Sequence, residues 1–455
     1  RIAVLMCNSV DMVEIMFAAL KAGAAVVPLN TSVTDAAAAA MIEDSGAVAV
    51  AASDEHCARV DALRPALGRV RHYLAPENLA GWTTLESLRA GGPDEAPLVE
   101  VADDDVCNII YSSGTTGLPK GIVHTHRRRL DWAYDLAIAL RYHSGAVTLC
   151  TLGLYSNISW VGLLCTFLAG GTVVVARGFD AGEVLKVIAR RRVTHTSMVP
   201  VQFQRLLEHP QLAASDVSSL QAVMCCGSPL ALETKRALIG RLGCDFIELY
   251  GLTEGVITTL APEDAHRKLA SVGKPLHGTD LRIIDEAGRE AARGEAGEIV
   301  SRGRIVMAGY HGRPDANAES TWLDERGRAW LRTGDIGRLD EEGFLYIVDR
   351  RKDMIISGGQ NVYPADIEAV MIAHADVSEV AVIGVASEKW GESPFGIVVL
   401  RPGARGDGAA LVKWTNERVG RQQRIVGVAF RDSLPRNPNG KILKRELRRE
   451  YPGTG

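Results

Sequence analysis

The sequence lacks several features that would assign it to a simple class of protein. No run of 18 apolar residues occurs, so no membrane-spanning helix is predicted, and the first residues do not have the layout of a signal peptide. The net charge of −4 gives no overall attraction to nucleic acid or to an anionic membrane. Internal repeats and low-complexity segments are also missing. These absences favour an ordinary globular protein, and 455 residues suggest two or three domains.

The cysteines and histidines give little sign of a disulfide framework or a structural metal. The eight cysteines contain no Cys-x-x-Cys pair, and most lie in apolar runs. They are therefore predicted to be buried free thiols in a reducing compartment, which favours a cytoplasmic protein. His124 and His126 would share one face of a strand, but a zinc site needs more ligands than these two.

The order of secondary-structure signals changes along the chain. Residues 1–260 alternate short β-prone runs with helical stretches, which predicts βαβ units and a largely parallel sheet. After about Lys274, short strands alternate with glycine turns, which is typical of antiparallel structure. Five consecutive charged residues at 349–353 mark the predicted start of a smaller domain.

The segment SSGTTGLPK, from Ser112 to Lys120, lies between two β-prone runs. It offers hydroxyl groups, backbone N–H groups and one ammonium, which suit a polyphosphate. It does not match the common pattern GxxxxGK[ST], because Lys120 follows a proline and no Ser or Thr comes next. A surface turn is the alternative interpretation.

Three further motifs carry polar groups suited to a nucleotide. In YGLTEG, Thr253 offers a hydroxyl and Glu254 a carboxylate, although both residue types also suit a helix N-terminus. In LRTGD, Asp335 lies on a predicted turn and can accept hydrogen bonds from ribose hydroxyls, unless it serves only the turn. In PRNPNGKILKREL, Lys441 is expected on an accessible loop, where most lysines are simply solvated.

Taken in this order, the motifs resemble those of the adenylate-forming superfamily of acyl-CoA synthetases, peptide-synthetase adenylation domains and luciferases. YSSGTTGLPKG, YGLTEG, LRTGDIG, DRRKDMIISGGQNVYPADIE and PRNPNGKILKREL carry the resemblance, which covers essentially the whole chain. The resemblance implies an α/β fold with a large N-terminal domain (1–349) of parallel αβ layers and a small β-barrel-like subdomain. A hinge (350–353) and a small mobile α+β C-terminal domain (354–455) would follow. It also implies some tens of residues before Arg1.

The resemblance implies an enzyme that activates a carboxylic acid with ATP and Mg²⁺ and then transfers the acyl group to a thiol. Thr253 would contact the α-phosphate and Glu254 would ligate Mg²⁺. Lys441 would stabilise the charge that develops as the carboxylate attacks the α-phosphorus. Thr115, Thr116 and Lys120 would lie in the loop that holds the β- and γ-phosphates. Adenine would meet Gly227, Ser228, Pro229 and Tyr250, and the ribose would meet Asp335 and Arg350. The other ATP-binding positions implied are Ser112, Ser113, Gly114, Gly117 and Gly251.

For the second step, the resemblance implies rotation of the small domain about Lys352. Gly358, Gly359 and Trp390 would then border the pantetheine of coenzyme A, and Arg424 would meet its phosphates. Here the sequence departs from the family, because RIVGVAF stands where a Lys-x-Pro often precedes the last strand. The CoA ligase is the first hypothesis, and an enzyme that loads a carrier-protein thiol is the alternative. A non-catalytic binding module is disfavoured, because Lys441, Glu254 and Asp335 are all retained.

The acyl pocket is expected to have an apolar wall. Tyr155 and Ser156 stand where many relatives carry an aromatic residue and a histidine. No aspartate lies between Leu152 and Gly162 to meet a substrate ammonium, which disfavours amino acids, and the pocket segments contain no Arg or Lys for a second carboxylate. An aryl, alicyclic or medium-chain fatty monocarboxylate is therefore expected. The partners implied are small molecules, with a homodimer left open. The pocket residues expected are Tyr155, Ser156, Trp160, Met198, Val199, Cys226, Val256 and Ile257.

Overall fold

The computed structural model describes residues 1–92, 95, 97–112, 119–350, 352–357, 360–387, 390–437 and 440–452. The chain divides into two compact units. The first comprises residues 1–280 and 301–331, and the second comprises residues 281–300 and 332–455. The hinge at 350–353 stays a prediction. In the described part of the chain, every helix is too short or too polar to cross a lipid bilayer.

The first unit contains an eight-stranded sheet in the order β17-β7-β6-β2-β1-β3-β4-β5. Its central strands are short apolar runs buried on both faces, and β2, β1, β3 and β4 pair in parallel, as the alternation of strand and helix signals predicts. β6 and β7 form an antiparallel pair. The strands are β1 (Ile2–Leu5), β2 (Val26–Pro28), β3 (Ala49–Ala52), β4 (His72–Ala75), β5 (Thr83–Thr84), β6 (Val106–Ser112), β7 (Lys120–Thr125) and β17 (Gly309–Tyr310).

A second sheet of the same unit has the order β14-β13-β12-β11-β10-β8-β9. β9, β8, β10, β11 and β12 run parallel, and β12, β13 and β14 form antiparallel pairs. The strands are β8 (Val147–Cys150), β9 (Thr172–Val175), β10 (His195–Met198), β11 (Ala222–Cys225), β12 (Asp245–Gly251), β13 (Ile257–Leu260) and β14 (Lys274–Pro275).

The helices of the first unit pack apolar side chains against these sheets. Several of them begin where a polar side chain caps the helix: Ser156 Oγ, for example, accepts a hydrogen bond from the N–H of Ile158 at the start of α6. The helices are α1 (Val10–Lys21), α2 (Asp35–Ser45), α3 (Asp54–Leu63), α4 (Leu85–Gly91), α5 (His126–Ala139), α6 (Asn157–Ala169), α7 (Ala181–Arg191), α8 (Pro200–Glu208), α9 (Leu232–Leu242), α10 (Pro262–Lys268) and α11 (Pro314–Glu319).

A buried ion pair joins α9 to β12. Lys235 and Glu248 form a salt bridge, and both side chains are less than a tenth exposed. Lys235 Nζ also donates to the Leu269 carbonyl over 2.9 Å. Burial raises the pKa of Glu248 to about 7, although the Lys235 charge opposes this shift. The carboxylate therefore depends on its partner lysine to stay ionised in the core.

A third sheet has the order β15-β16-β19-β18, with β20 beside β19. The division between the two units falls inside β15, β16 and β19. Antiparallel pairing of β18 with β19 and of β19 with β20 agrees with the glycine-rich alternation of the sequence. The strands are β15 (Thr279–Ile284), β16 (Gly297–Gly303), β18 (Thr321–Leu323), β19 (Ala329–Leu339) and β20 (Leu345–Arg350).

The second unit also contains a sheet in the order β22-β21-β24-β23, with β25 beside β24. Its long central hairpin, β23 with β24, packs on helices through a core that includes Ile367, Met371 and Val398. The elements are β21 (Ile355–Ser357), β22 (Gln360–Val362), α12 (Pro364–Met371), β23 (Val377–Ser387), β24 (Gly391–Leu400), α13 (Gly408–Asn416), β25 (Val428–Phe430) and α14 (Lys444–Glu450).

Two local predictions are wrong. His124 and His126 do not share a strand face, because β7 ends at Thr125 and His126 begins α5, where the Thr125 hydroxyl caps the helix. Asp335 is not on a turn but lies inside β19, opposite Arg350 of β20. Gly334, at φ 69°, gives a left-handed kink within that strand, so the Thr-Gly-Asp triplet has turn chemistry without ending the strand.

Candidate active site

The two strands that flank the predicted phosphate loop end beside each other. β6 finishes at Ser112 and β7 starts at Lys120, and these two residues are paired in the antiparallel ladder. The two predicted strands are therefore present, one before and one after this segment. Ser113, Gly114, Thr115, Thr116 and Gly117 lie outside the described residues, so their roles stay predictions.

A tyrosine links the predicted phosphate-binding lysine to the predicted magnesium ligand. Tyr310 lies on β17, which pairs with β7. Its hydroxyl donates to Glu254 Oε1 over 3.0 Å, and the Lys120 Nζ lies 4.9 Å from the centre of its ring. Burial and the Glu254 charge raise the pKa of Tyr310, so the phenol stays protonated and remains a donor. The phenol thus contacts both an ammonium and a carboxylate suited to a magnesium nucleotide.

The backbone of YGLTEG is held from two sides. β12 ends at Gly251, and the Thr253 carbonyl lies 2.8 Å from the His124 Nε2. The Met307 N–H donates to the Glu254 carbonyl over 2.8 Å. Gly255 has φ 105° and approaches the Ile305 carbonyl so closely that a Cβ atom would clash with it. These residues form a turn between β12 and β13 rather than a helix start, so the helix N-cap alternative for Thr253 and Glu254 is wrong.

A single carboxylate is enough for the expected metal. Among the described residues, no group of three or more His, Cys, Asp and Glu side chains is arranged to hold a metal ion. Magnesium is commonly held by one or two protein carboxylates, with substrate phosphates and water completing its coordination. Glu254, with one oxygen oriented by Tyr310, fits that type of site. Lys120 beside it fits the negative charge of a polyphosphate.

In the second unit, Asp335 and Arg350 form an ion pair on neighbouring strands. Asp335 is 3% exposed, and the Arg350 Nε lies 3.1 Å from its Oδ1. The Thr333 hydroxyl accepts a hydrogen bond from the Asp335 N–H over 3.0 Å. The Glu298 carboxylate in turn accepts from the Gly334 N–H over 3.3 Å. The carboxylate that the sequence assigns to ribose is therefore fixed by its strand and its arginine.

Lys441 lies close to this pair of charges. It is part-buried, whereas the sequence predicted an accessible lysine. Burial, as the larger cause, and the Arg350 charge together lower its pKa to about 7, and the Asp335 charge opposes them. The Asn437 side chain accepts from the Lys441 N–H over 2.8 Å, which holds the backbone of the lysine. An amine with a near-neutral pKa is a common property of a functional lysine.

The predicted acyl-pocket residues divide between two neighbouring cores. Trp160, Cys226 and Ile257 share one buried cluster in the first unit, whereas Met198 packs in another. Tyr155 is half-buried, and burial raises the pKa of its phenol. Ser156 is buried as the cap of α6, which gives it a structural role. Val199 and Val256 are both buried.

Two residues that the sequence interpretation missed lie beside these groups. Tyr310 gave no signal, because β17 has only two residues. Arg129 gave a signal in its spacing, because Trp132, Ala133 and Leu136 follow at helical intervals and all are buried. Arg129 therefore belongs to the apolar face of α5 and is 3% exposed.

The remaining predicted positions are described only in part. Gly358 and Gly359 lie outside the described residues. Trp390 is 39% exposed, and Arg424 is exposed before β25. Lys352 is exposed in the turn after β20, and the next residue, Asp353, accepts from Arg448 of α14 over 3.0 Å. Their roles at the hinge and towards coenzyme A stay predictions. Gly227 and Pro229 are exposed in the loop after β11.

The fold and these groups define an AMP-binding, acid-activating class of protein, and comparison with known proteins agrees. Residues 1–311 match the family of AMP-binding enzymes, and residues 366–441 match the AMP-binding enzyme C-terminal domain. The chain therefore belongs to the AMP-binding enzyme family.

Individual relatives and a solved structure cover almost the whole chain. A feruloyl-CoA synthase of Amycolatopsis is 37% identical over 99% of this chain and 89% of the relative. A long-chain-fatty-acid–CoA ligase of Mycobacterium tuberculosis is 36% identical over 100% of this chain and 88% of the relative. The crystal structure of ATP-bound MatB from Rhodopseudomonas palustris has a TM-score of 0.91 and 30% sequence identity to this chain. The match covers 99% of this chain and 88% of MatB.

These similarities confirm several predictions. The chain has the mixed α/β fold with parallel sheets and a smaller C-terminal domain, and it is an AMP-forming acid–thiol ligase that uses ATP, Mg²⁺ and coenzyme A.

Proposed function

We propose that this enzyme joins a neutral-tailed aryl, alicyclic or medium-chain carboxylic acid to coenzyme A through an acyl-adenylate. The acid's carboxylate attacks the α-phosphorus of ATP, pyrophosphate leaves, and the thiol of coenzyme A then displaces AMP. The observation that carries the proposal is the set of Lys441, Arg350 and Asp335, in which burial and the Arg350 charge lower the lysine's pKa to about 7. Strongly shifted pKa values of this kind are concentrated at functional sites.

The residues have distinct roles in the proposed first step. Glu254, oriented by Tyr310, holds Mg²⁺, and Lys120 binds phosphate oxygens. Asp335 accepts hydrogen bonds from the ribose. Lys441 in its cationic form stabilises the charge that builds up on the oxygens around the α-phosphorus, which is the kind of electrostatic contribution that enzymes rely on most.

The apolar wall supports an acid without a substrate ammonium. Trp160, Cys226 and Ile257 are all less than a twentieth exposed and lie in one cluster. The two relatives named above act on feruloyl and long-chain fatty acyl groups according to their names, and both classes suit such a wall. We propose the same broad class of acid for this enzyme.

The test is release of pyrophosphate over a panel of aryl, alicyclic and fatty acids, with coenzyme A added and omitted. Lys441→Ala should abolish acyl-adenylate formation yet retain most of the thioester formation from supplied acyl-adenylate. Lys413→Ala, which removes a lysine of α13 in the same unit, is the matched control and should leave both half-reactions unchanged. Equal loss of both half-reactions in Lys441→Ala would contradict the role given to this lysine.

The second step distinguishes the two acceptors. A CoA ligase should turn over many times with free coenzyme A, whereas an enzyme that loads a carrier protein should need a phosphopantetheinylated carrier. Faster steady-state turnover with the carrier than with coenzyme A would favour the alternative.

We also propose that the enzyme works in the reducing cytoplasm. All eight cysteines are free thiols, and burial raises the pKa values of Cys107, Cys150 and Cys226. Buried thiols of this kind are typical of reducing compartments. A homodimer stays a prediction, which light scattering of the purified enzyme would test.

A further inference from the structure

Among the described residues, no side chain forms an ion pair with Arg129, a buried arginine on α5. The Arg129 Nε donates to Asn108 Oδ1 over 2.8 Å. Its Nη1 and Nη2 are enclosed, and among the described residues neither has a hydrogen-bond partner; the same holds for Asn108 Nδ2. Three buried nitrogen donors therefore lie close together without an acceptor, whereas buried polar groups in proteins are generally hydrogen-bonded.

The neighbouring titratable groups do not neutralise this cation. Burial raises the pKa of the Cys107 thiol to about 11, so the thiol is uncharged near pH 7. Burial and the Arg129 charge hold the pKa of His124 well below 6.5, so the imidazole is neutral too. Arg129 itself has its pKa lowered by burial only to about 10 and stays cationic. A buried charge without a partner is unfavourable, so its retention calls for a ligand.

The position of Arg129 indicates which ligand. Its Cζ lies 4.9 Å from the ring centre of Trp132 and 5.4 Å from that of Trp160. The Trp160 Nε1 donates to the Leu154 carbonyl over 2.9 Å, which fixes that ring. Trp160 belongs to the cluster that forms the predicted acyl-pocket wall. A guanidinium that lies over aromatic rings keeps the N–H groups at its edge for acceptors in its own plane.

We propose that Arg129, with Asn108, recognises an oxygen acceptor carried on the tail of the acid substrate. The acid would then have a ring hydroxyl or a second carboxylate at the end of the pocket, and acids that lack the oxygen would bind less well. This inference rests on the acid activation proposed above. It also revises two expectations, that no cation reaches the pocket and that the tail of the acid is neutral, because Arg129 comes from a helix outside the pocket segments.

The test uses two matched pairs of acids, so that a phenolic oxygen and a carboxylate are distinguished. The first pair is 3-phenylpropanoate and 3-(4-hydroxyphenyl)propanoate, and the second is octanoate and octanedioate. The kcat and KM for pyrophosphate release are measured for each acid with the whole chain. Because a site built to hydrogen-bond a substrate oxygen rejects the analogue without it, we expect kcat/KM to be at least about tenfold higher for the oxygen-bearing member of one pair.

Three variants separate recognition from a structural role. Arg129→Leu removes the guanidinium and leaves an apolar side chain in its place. It should bring the ratio of the two kcat/KM values to about one, chiefly by raising KM for the oxygen-bearing acid. Arg127→Leu, an exposed arginine of the same helix, is the control and should keep the ratio. Asn108→Asp gives Arg129 a carboxylate within the protein, so it should also abolish the preference while preserving the fold.

The outcomes decide between the proposals. A wild-type ratio near one in both pairs, or an equal change for both members of a pair in Arg129→Leu, would overturn the role of Arg129. If Arg129→Leu does not fold, an unchanged ratio in Asn108→Asp has the same meaning. If no acid in a broad panel releases pyrophosphate, the proposed function itself fails, and this result is distinct from the loss of a preference.

Discussion

The pH dependence of adenylation should follow the charge of Lys441. In the free protein, burial and the Arg350 charge bring the pKa of this lysine to about 7, from an ordinary value of 10.5. Only the cation stabilises the transition state, so activity should be lost as the pH rises through 7. With that pKa, about nine tenths of the lysine is protonated at pH 6 and about a tenth at pH 8. The expected fall in rate over this range is therefore about tenfold.

The assay is the acid-dependent exchange of labelled pyrophosphate into ATP between pH 6 and 8, measured as kcat/KM. This quantity reports the ionisation of the free enzyme. Lys441→Arg supplies the reference, because a guanidinium stays charged throughout this range. The variant will be slower at every pH, because a planar guanidinium differs in shape from an ammonium. The ratio of wild type to variant cancels the titration of ATP and of the acid, and it should fall about tenfold from pH 6 to pH 8.

A ratio that stays constant from pH 6 to pH 8 would refute this reasoning. It would mean that Lys441 keeps its proton, and that burial beside Arg350 does not bring the amine near neutrality. A ratio that rises with pH would mean that the neutral amine is the active form, which contradicts its proposed electrostatic role.

Three other predictions concern different parts of the chain. Tyr310→Phe removes the hydrogen bond to Glu254 but keeps the ring. Because a hydrogen bond to a charged group contributes about 1.5–3 kcal/mol, the Mg²⁺ concentration for half-maximal rate should rise about tenfold or more. An unchanged magnesium titration would contradict the role given to Tyr310. Glu248→Ala leaves Lys235 buried without a counter-charge and should lower the free energy of unfolding in urea by about 3–5 kcal/mol. Adding Lys235→Met should restore most of that free energy. An unchanged free energy of unfolding in Glu248→Ala would contradict the importance of the pair. Lys352→Pro should slow thioester formation far more than adenylation, because it restricts the backbone at the predicted hinge; equal effects on both half-reactions would exclude that pivot.

The parallel sheets were predictable because their signals are local. Runs such as Ile2–Leu5 and Ala49–Ala52 are short, apolar and separated by helical stretches. Few folds other than a parallel α/β sheet have this pattern. The antiparallel pairing of the third sheet followed in the same way from its glycine turns. The motifs of the nucleotide site were also readable, because their order along the chain is family-specific.

The errors and omissions share one cause, which is dependence on contacts between distant segments. The shifted pKa of Lys441 depends in part on the charges of Arg350 and Asp335, which precede it by many residues, so its loop rich in Pro, Asn and Gly gave no sign of it. Asp335 looked like a turn residue because a glycine precedes it, but pairing with β20 keeps it in a strand. Tyr310 could not be linked to Glu254 without the structure, because only the pairing of β17 with β7 brings the phenol to that carboxylate.

The tethering of the Thr253–Glu254 segment has a consequence for protein engineering. Its peptide groups are bonded to β7 through His124 and to the chain after β16 through Met307, and Gly255 leaves no room for a side chain. Attempts to alter the acid preference should therefore leave this segment intact and vary the side chains of α5 and α6 instead. Libraries focused on those two helices should retain nucleotide chemistry in a larger share of their members than libraries that randomise the loop.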